Sequence, residues 1–164
     1  NEPYDAFWIF VTQIESWTPL FLYFIGIVLY YHKGKKGAIL LLGGIVTFLV
    51  TLAITDLTKT YVARIRPNNL ATLSSLLRVL KTPTSYSFFS GHASSSFCIV
   101  VFLVLCVRKF NLWVYLAFMW PVLFAASRIY VGVHYPSDIV VGALVGSLLA
   151  VFGYGVSTYL AKKV

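Results

Sequence analysis

Five uncharged stretches constrain what this chain can fold into: Ser16–Tyr31, Gly37–Thr55, Ala93–Val107, Phe110–Ser127 and Ile139–Ala161. The hydrocarbon core of a bilayer takes about 20 residues of helix to cross. It offers no water to backbone groups, so each apolar stretch must satisfy its own hydrogen bonds, which an α-helix does. The first and third stretches are short, and their helices are expected to run into polar flanks. Only 11% of the chain is charged and 59% is hydrophobic, with a mean hydropathy of +0.84. A soluble domain carries roughly 25% charged residues, so polar surface is too scarce here to cover a particle in water. The expected fold is all-α, a polytopic membrane helical bundle in one domain over residues 1–164. It has about five transmembrane helices, over 16–31, 37–58, 92–107, 110–128 and 137–161. Ahead of them Phe7, Phe10, Val11 and Ile14 recur at helical spacing, which predicts an N-terminal interfacial helix within 1–15.

The net charge is +8, from 13 Lys and Arg against 5 Asp and Glu. A basic excess can mark nucleic-acid binding, but these cations sit in short clusters between apolar runs, which suits lipid headgroups and membrane orientation. Five alternating spans place Lys33, Lys35, Lys36, Arg108, Lys109, Lys162 and Lys163 on one side. Lys59, Arg64, Arg66, Arg78, Lys81 and Arg128 fall on the other. With Lys59, Arg66 and Arg128 reserved for chemistry, the first group dominates and faces the cytoplasm by the positive-inside rule. His32 belongs to that cytoplasmic cluster and is expected to be solvated. Cys98 and Cys106, eight residues apart on one helix, are about 12 Å distant along its axis, too far to bridge.

The opposite, extracytoplasmic side holds the residues that can carry chemistry. Lys59 and Arg66 are seven apart, about two helical turns, and share a face at the end of the second span. Pro67 disfavours helix at Arg66 and is expected to end it there. Two such cations can converge on an anion, or can simply snorkel to the interface. Ser90-Gly91-His92 opens the third span, where a close backbone approach and the free N–H groups of a helix start suit an anion. An ordinary turn and cap accounts for the same tripeptide. Ser127, Arg128, His134 and Asp138 form a third group. Pro136 suits the first position of the fifth helix, and Asp138 in its first turn can reach back to His134, fixing one ring nitrogen and freeing the other. It can equally just complement the helix N-terminus. The loop Pro67–Ser90 is the only long polar stretch, and long ordered loops in compact domains are usually functional.

Taken together, these groups resemble the motifs of the type 2 phosphatidic acid phosphatases, membrane relatives of the vanadium haloperoxidases. Lys59 through Arg66-Pro67 matches Lys-x6-Arg-Pro. Ser90-Gly91-His92 matches Pro-Ser-Gly-His, with Phe89 where the family has proline. Ser127-Arg128, His134 and Asp138 match Ser-Arg-x5-His-x3-Asp. The resemblance implies a metal-independent lipid phosphatase without a cofactor. His134 would be the nucleophile forming a phosphohistidine, His92 the acid and then base, and Asp138 the orienter of His134. Lys59, Arg66, Arg128, Ser90 and Gly91 would bind the phosphoryl group. Substrates suggested by the resemblance are undecaprenyl diphosphate, phosphatidylglycerophosphate, phosphatidic acid and lipid A, with the first two favoured. Arg78 and Lys81 are candidate contacts to a second phosphate or an anionic headgroup, or merely attract anionic lipid. The partners expected are therefore the lipid substrate and the bilayer, not nucleic acid. The location expected is the inner (plasma) membrane, with the site on the extracytoplasmic side.

Rival readings are weaker. A two-metal phosphatase needs a dense set of carboxylate and histidine ligands, whereas only Asp56 and Asp138 fall near the right places, and Asp56 can pair with Lys59 at helical spacing. A silent lipid-binding or transport protein on the same fold has no need of His134, Asp138 and His92 together. A channel would show a strongly polar residue in mid-span, and a haloperoxidase would be soluble and much larger.

Overall fold

In a computed structural model, which describes residues 3–70, 72 and 79–164, the chain is a bundle of helices, and no strand occurs among the described residues. The helices are α1 (Asp5–Thr12), α2 (Thr18–Tyr31), α3 (Gly34–Val62), α4 (Gly91–Val107), α5 (Met119–Tyr130) and α6 (Pro136–Ala161). Short 3₁₀ segments lie at Glu15–Trp17, Pro67–Asn69 and Leu112–Phe118. Among the described residues three helical segments are long and apolar enough to cross a membrane: Gly34–Asn69, which contains α3, Leu112–Tyr130 and Pro136–Ala161. A fourth is added if α1 and Glu15–Tyr31, bent by 76° at their junction, count as one unit, while α4 is a shorter apolar helix. The protein is thus a multi-pass membrane protein.

Local chemistry sets where the helices stop. α3 ends four residues before Arg66, because Ala63 adopts a left-handed conformation (φ 48°) and its N–H bonds back to the Lys59 carbonyl at 2.9 Å. Pro67 then holds Arg66 extended (φ −71°, ψ 152°), as steric clash with the pyrrolidine ring requires. The expectation that Lys59 and Arg66 share a helical face is therefore corrected: Lys59 sits in the last turn of α3 and Arg66 on the extended strand of chain after it. The expected span over 110–128 is also divided. Pro121 has no N–H to give the carbonyl of residue 117, and the preceding turn tightens to 3₁₀ over Leu112–Phe118. Between α5 and α6, Gly132 takes a positive φ of 73°, which turns the chain back towards the bundle.

Small residues bring the helices close. A Cβ on Gly146 of α6 would stand 2.0 Å from the Ser94 carbonyl oxygen of α4, and one on Gly142 would stand 2.7 Å from that of Ser90. Further along, Gly153 admits Thr47 of α3, and Gly43 of α3 admits Ser157 of α6. In membranes such small-residue seams let backbones approach and van der Waals contact hold helices together. Aromatic packing seals the other flank: Trp120 meets Phe21, Phe24 and Phe124 at ring-centre distances of 5.1, 6.2 and 5.7 Å.

One more expectation is corrected. His32 is not solvated: it is 8% exposed, its Nε2 lies 2.8 Å from the Cys106 carbonyl oxygen, and its ring meets Phe110 edge-on. The last-turn carbonyls of α4 lack helical partners, and the imidazole fills one of those vacancies. On α1 Phe7 and Phe10 are exposed, as is Ile14 just beyond it, while Val11 is buried; the helix packs one edge against the bundle through Trp8, which stacks on Tyr130 at 5.1 Å.

Candidate active site

One end of the bundle gathers the end of α3, the start of α4, the end of α5 and the start of α6. Ser90 caps α4, its hydroxyl accepting from the Ala93 N–H at 3.4 Å, and its own N–H bonds to the Asp138 carbonyl at 3.0 Å. The second and third motifs are therefore joined by backbone. Asp138 lies in the first turn of α6, fully buried, and accepts from the Tyr135 N–H at 3.0 Å. The same carboxylate stands 3.3 Å from Nδ1 of His134. Helix capping and imidazole orientation, which the sequence presents as alternatives, are both performed by Asp138.

The neighbours of His134 assign its tautomer. Nε2 lies 3.1 Å from Nη1 of Arg66. A guanidinium can only donate, so Nε2 carries the lone pair and Nδ1 the proton that faces Asp138. Burial pushes the imidazole down to about 4; the hydrogen bond with Asp138 opposes the shift, and the charges of Arg66 and Arg128 add to it. Arg66 itself is 3% exposed and pinned, with Nε donating to the Ser85 carbonyl at 2.6 Å and Nη1 to the Val133 carbonyl at 2.9 Å. Arg128 is 4% exposed; its Nη1 donates to the Thr12 hydroxyl of α1, and its Nε is buried with no partner among the described residues.

A cavity of about 410 Å³ opens beside this cluster, lined among others by Thr12, Lys59, Lys81, Gly91, His92 and Phe124. The His92 ring stacks on Phe124 at 4.7 Å and feels the charges of Arg128, His134, Lys59 and Lys81. Lys59 is half-drawn into the wall, with its Nζ 3.9 Å from Asp56. The structure thus brings Lys59, Arg66, Ser90, Gly91, His92, Arg128, His134 and Asp138 to one place. Lys81 joins them on the cavity wall, and Arg78 lies outside the described residues. Among the described residues no three His, Cys, Asp or Glu side chains gather as a metal site would.

Sequence reasoning overlooks Arg64, Ser87, Ser85 and Thr12. Arg64 was within reach of it: chain held extended ahead of Pro67 sends residues two apart to the same side, so Arg64 accompanies Arg66 towards α6. The other three are brought in by tertiary contacts that no spacing announces.

Comparison with known proteins identifies the family. The model of the PAP2 superfamily matches residues 37–162. An undecaprenyl-diphosphatase of Sulfolobus acidocaldarius is 32% identical over 149 residues, covering 90% of this chain and 67% of that protein. A lipid A 4'-phosphatase of Porphyromonas gingivalis is 28% identical over 169 residues, covering 97% and 68%. Among solved structures, a PAP2-type phosphatidylglycerolphosphate phosphatase from Bacillus subtilis shares the fold, with a TM-score of 0.72 at 24% identity over 97% of this chain and 79% of that one. Aquifex aeolicus LpxE aligns with a TM-score of 0.63 at 25% identity, covering 93% and 86%. The family match spans most of the chain and contains every motif residue of the cluster, and the chain belongs to the PAP2 superfamily as a membrane-embedded lipid phosphatase.

Proposed function

We propose that the protein hydrolyses lipid phosphates or diphosphates without a metal, through a phosphohistidine on His134. The observation that carries this is the His134 imidazole held between Asp138 on Nδ1 and Arg66 on Nε2, its lone pair facing a cationic cluster. A phosphoryl group drawn in by Lys59, Arg66 and Arg128 takes over the Arg66 N–H groups and releases Nε2 to attack phosphorus. The negative phosphoryl group offsets the cations around His92 and lets it take up a proton on binding; the bond from phosphorus to the lipid oxygen, or to the bridging oxygen of a diphosphate, then breaks as His92 gives that oxygen the proton. His92 then takes a proton from water, which attacks the phosphohistidine, frees phosphate and restores neutral His134. Asp138 stabilises the positive charge on the ring between the two steps. The buried guanidinium groups, with the N–H groups at the start of α4, offset the charge that builds on the phosphoryl oxygens.

The substrate we favour is undecaprenyl diphosphate or phosphatidylglycerophosphate. Relatives named for an undecaprenyl diphosphate and for lipid A support a long-tailed substrate. So does an apolar groove of about 210 Å³ between α2, α3 and α4, which shares Phe48 with the polar cavity. Lys81 on the cavity wall suits a second phosphate, and Arg78 is proposed to assist it. The site faces away from the end where Lys33, Lys35, Lys36, Arg108, Lys109, Lys162 and Lys163 lie, which supports an extracytoplasmic active site in the plasma membrane.

Phosphate release from a panel of mono- and diphosphate lipids in detergent micelles tests this reading. Turnover in excess chelator is expected, with His134→Ala and His92→Ala each lower by at least about a hundredfold. Wild-type protein inert towards every lipid phosphate, or activity unaffected by His134→Ala, would overturn it. Lys81→Ala is expected to weaken diphosphates more than monophosphates; an unchanged ranking removes the second-phosphate role.

A further inference from the structure

Behind His134, the chain after α3, the segment before α4 and the start of α6 meet at one carboxylate. Oδ1 of Asp138 accepts from Nη1 of Arg64 at 2.8 Å. Oδ2 accepts from the Ser87 hydroxyl, the Tyr135 N–H and Nδ1 of His134. Ser87 is fully buried, and its Oγ is also 3.5 Å from Nδ1. Arg64 ties the corner together: its carbonyl accepts the Ser87 N–H at 2.8 Å, its guanidinium lies 3.9 Å over the Tyr135 ring, and Nη1 also reaches the Ser137 hydroxyl at 2.9 Å. The left-handed turn at Ala63 is what sends Arg64 back over the start of α6. Neither Arg64 nor Ser87 belongs to the family motifs.

We propose that Arg64 and Ser87 are positioning residues for the nucleophile, fixing the carboxylate of Asp138 and sharing its charge so that His134 keeps its Nδ1 proton yet remains neutral and ready to attack. The inference rests on reading His134 as the nucleophile. A carboxylate divides its capacity among its donors. The Arg64 bond on Oδ1 locks the carboxylate plane that His134 must meet, and its positive charge offsets negative charge that would otherwise favour the imidazolium. Ser87 shares Oδ2 with Nδ1 and limits how strongly the carboxylate draws the ring proton. The other charged groups facing His134 are Arg66 from the chain after α3 and Arg128 from α5, with His92 of α4 in the same field. Both arginines are retained in the variants below. Arg64 is about one-third exposed while Asp138 is fully covered, so Arg64 can be changed without opening the core.

The test compares Arg64→Gln, Arg64→Lys and Ser87→Ala in the full chain in micelles, by steady-state kinetics, pH profiles and the imidazole NMR signals of His134. Loss of an outer partner of a functional histidine costs about 10–100-fold in metal sites. Here kcat is expected to fall about tenfold in Arg64→Gln and in Ser87→Ala, with KM little changed because neither side chain touches the phosphate. In Arg64→Gln the acid limb of kcat and the His134 titration move to higher pH, since Asp138 then holds the imidazolium more firmly. Arg64→Lys restores most of the rate. Wild-type kcat and an unmoved His134 titration in both Arg64→Gln and Ser87→Ala would overturn the inference. So would raised KM at intact kcat, which means a direct grip on phosphate, or equal loss in the Gln and Lys variants with the His134 signal unmoved, which means a framework role. Wild-type protein without turnover on any lipid phosphate strikes the phosphatase reading itself, while the His134 titration still decides this one.

Discussion

His134 is a base kept dry. Burial, with the charges of Arg66 and Arg128, holds its pKa near 4 against a usual 6.5, so across neutral pH the ring keeps a lone pair on Nε2, as the proposed attack on phosphorus requires. An imidazole NMR titration in micelles is expected to show the ring neutral at pH 6 and protonating near pH 4, and a midpoint near 6.5 contradicts the buried geometry. Folding responds in the same sense. Between about pH 6.5 and 4 the unfolded chain binds the proton that the folded one refuses. The stability His134 contributes is therefore complete above about 6.5 and declines as pH falls towards 4. His92 stands on the cavity wall against Phe124, beside the same cationic cluster. The two imidazoles differ in placement, His134 held between Asp138 and Arg66 and His92 on the wall of the cavity.

At the scale of elements, the working residues of α4 and α6 are held in register by contact between backbones. A methyl group on Gly146 would meet the Ser94 carbonyl at 2.0 Å, and a main-chain atom cannot swing aside as a side-chain tip does. Gly146→Ala is expected to destabilise the bundle by about 1–3 kcal/mol, read as a lower thermal transition in detergent, with activity lost in step. Gly26, whose added Cβ meets nothing within 4 Å, is the control and should leave both unchanged as Gly26→Ala. The helices themselves were legible in the sequence, because apolar runs free of charge can hardly be anything else in lipid. Their ends were less so. Pro67 announces an extended Arg66, but nothing in the letters reveals that Ala63 will take a glycine-like conformation and stop α3 four residues sooner. The same holds for partners supplied across the fold. His134 and Asp138 sit a helical turn apart and are readable as a pair, whereas Ser87 reaches Asp138 from 51 residues away and His32 reaches a carbonyl 74 residues away. Such pairings depend on helix packing, which a motif does not encode.

For the whole molecule, the chain alternates direction so that the chemistry collects at one end and the bulk of the lysines at the other. The N-terminal helix belongs to the first end. Its Thr12 hydroxyl accepts from Arg128, the Tyr130 hydroxyl bonds Asp5 at 3.2 Å, and Phe7 and Phe10 remain turned outward. Thr12→Val keeps the side chain's shape and removes that acceptor. It is expected to raise KM for lipid phosphates severalfold with little change in fold, measurable by kinetics in mixed micelles; an unaltered KM would mean Arg128 is held by the rest of the pocket. The 76° elbow after α1 has a practical corollary. The family match begins at residue 37, so an expression clone trimmed to that boundary would preserve every diagnostic letter and yet discard the hand that steadies one of its arginines. Such a protein would look intact in any alignment and work poorly at the bench.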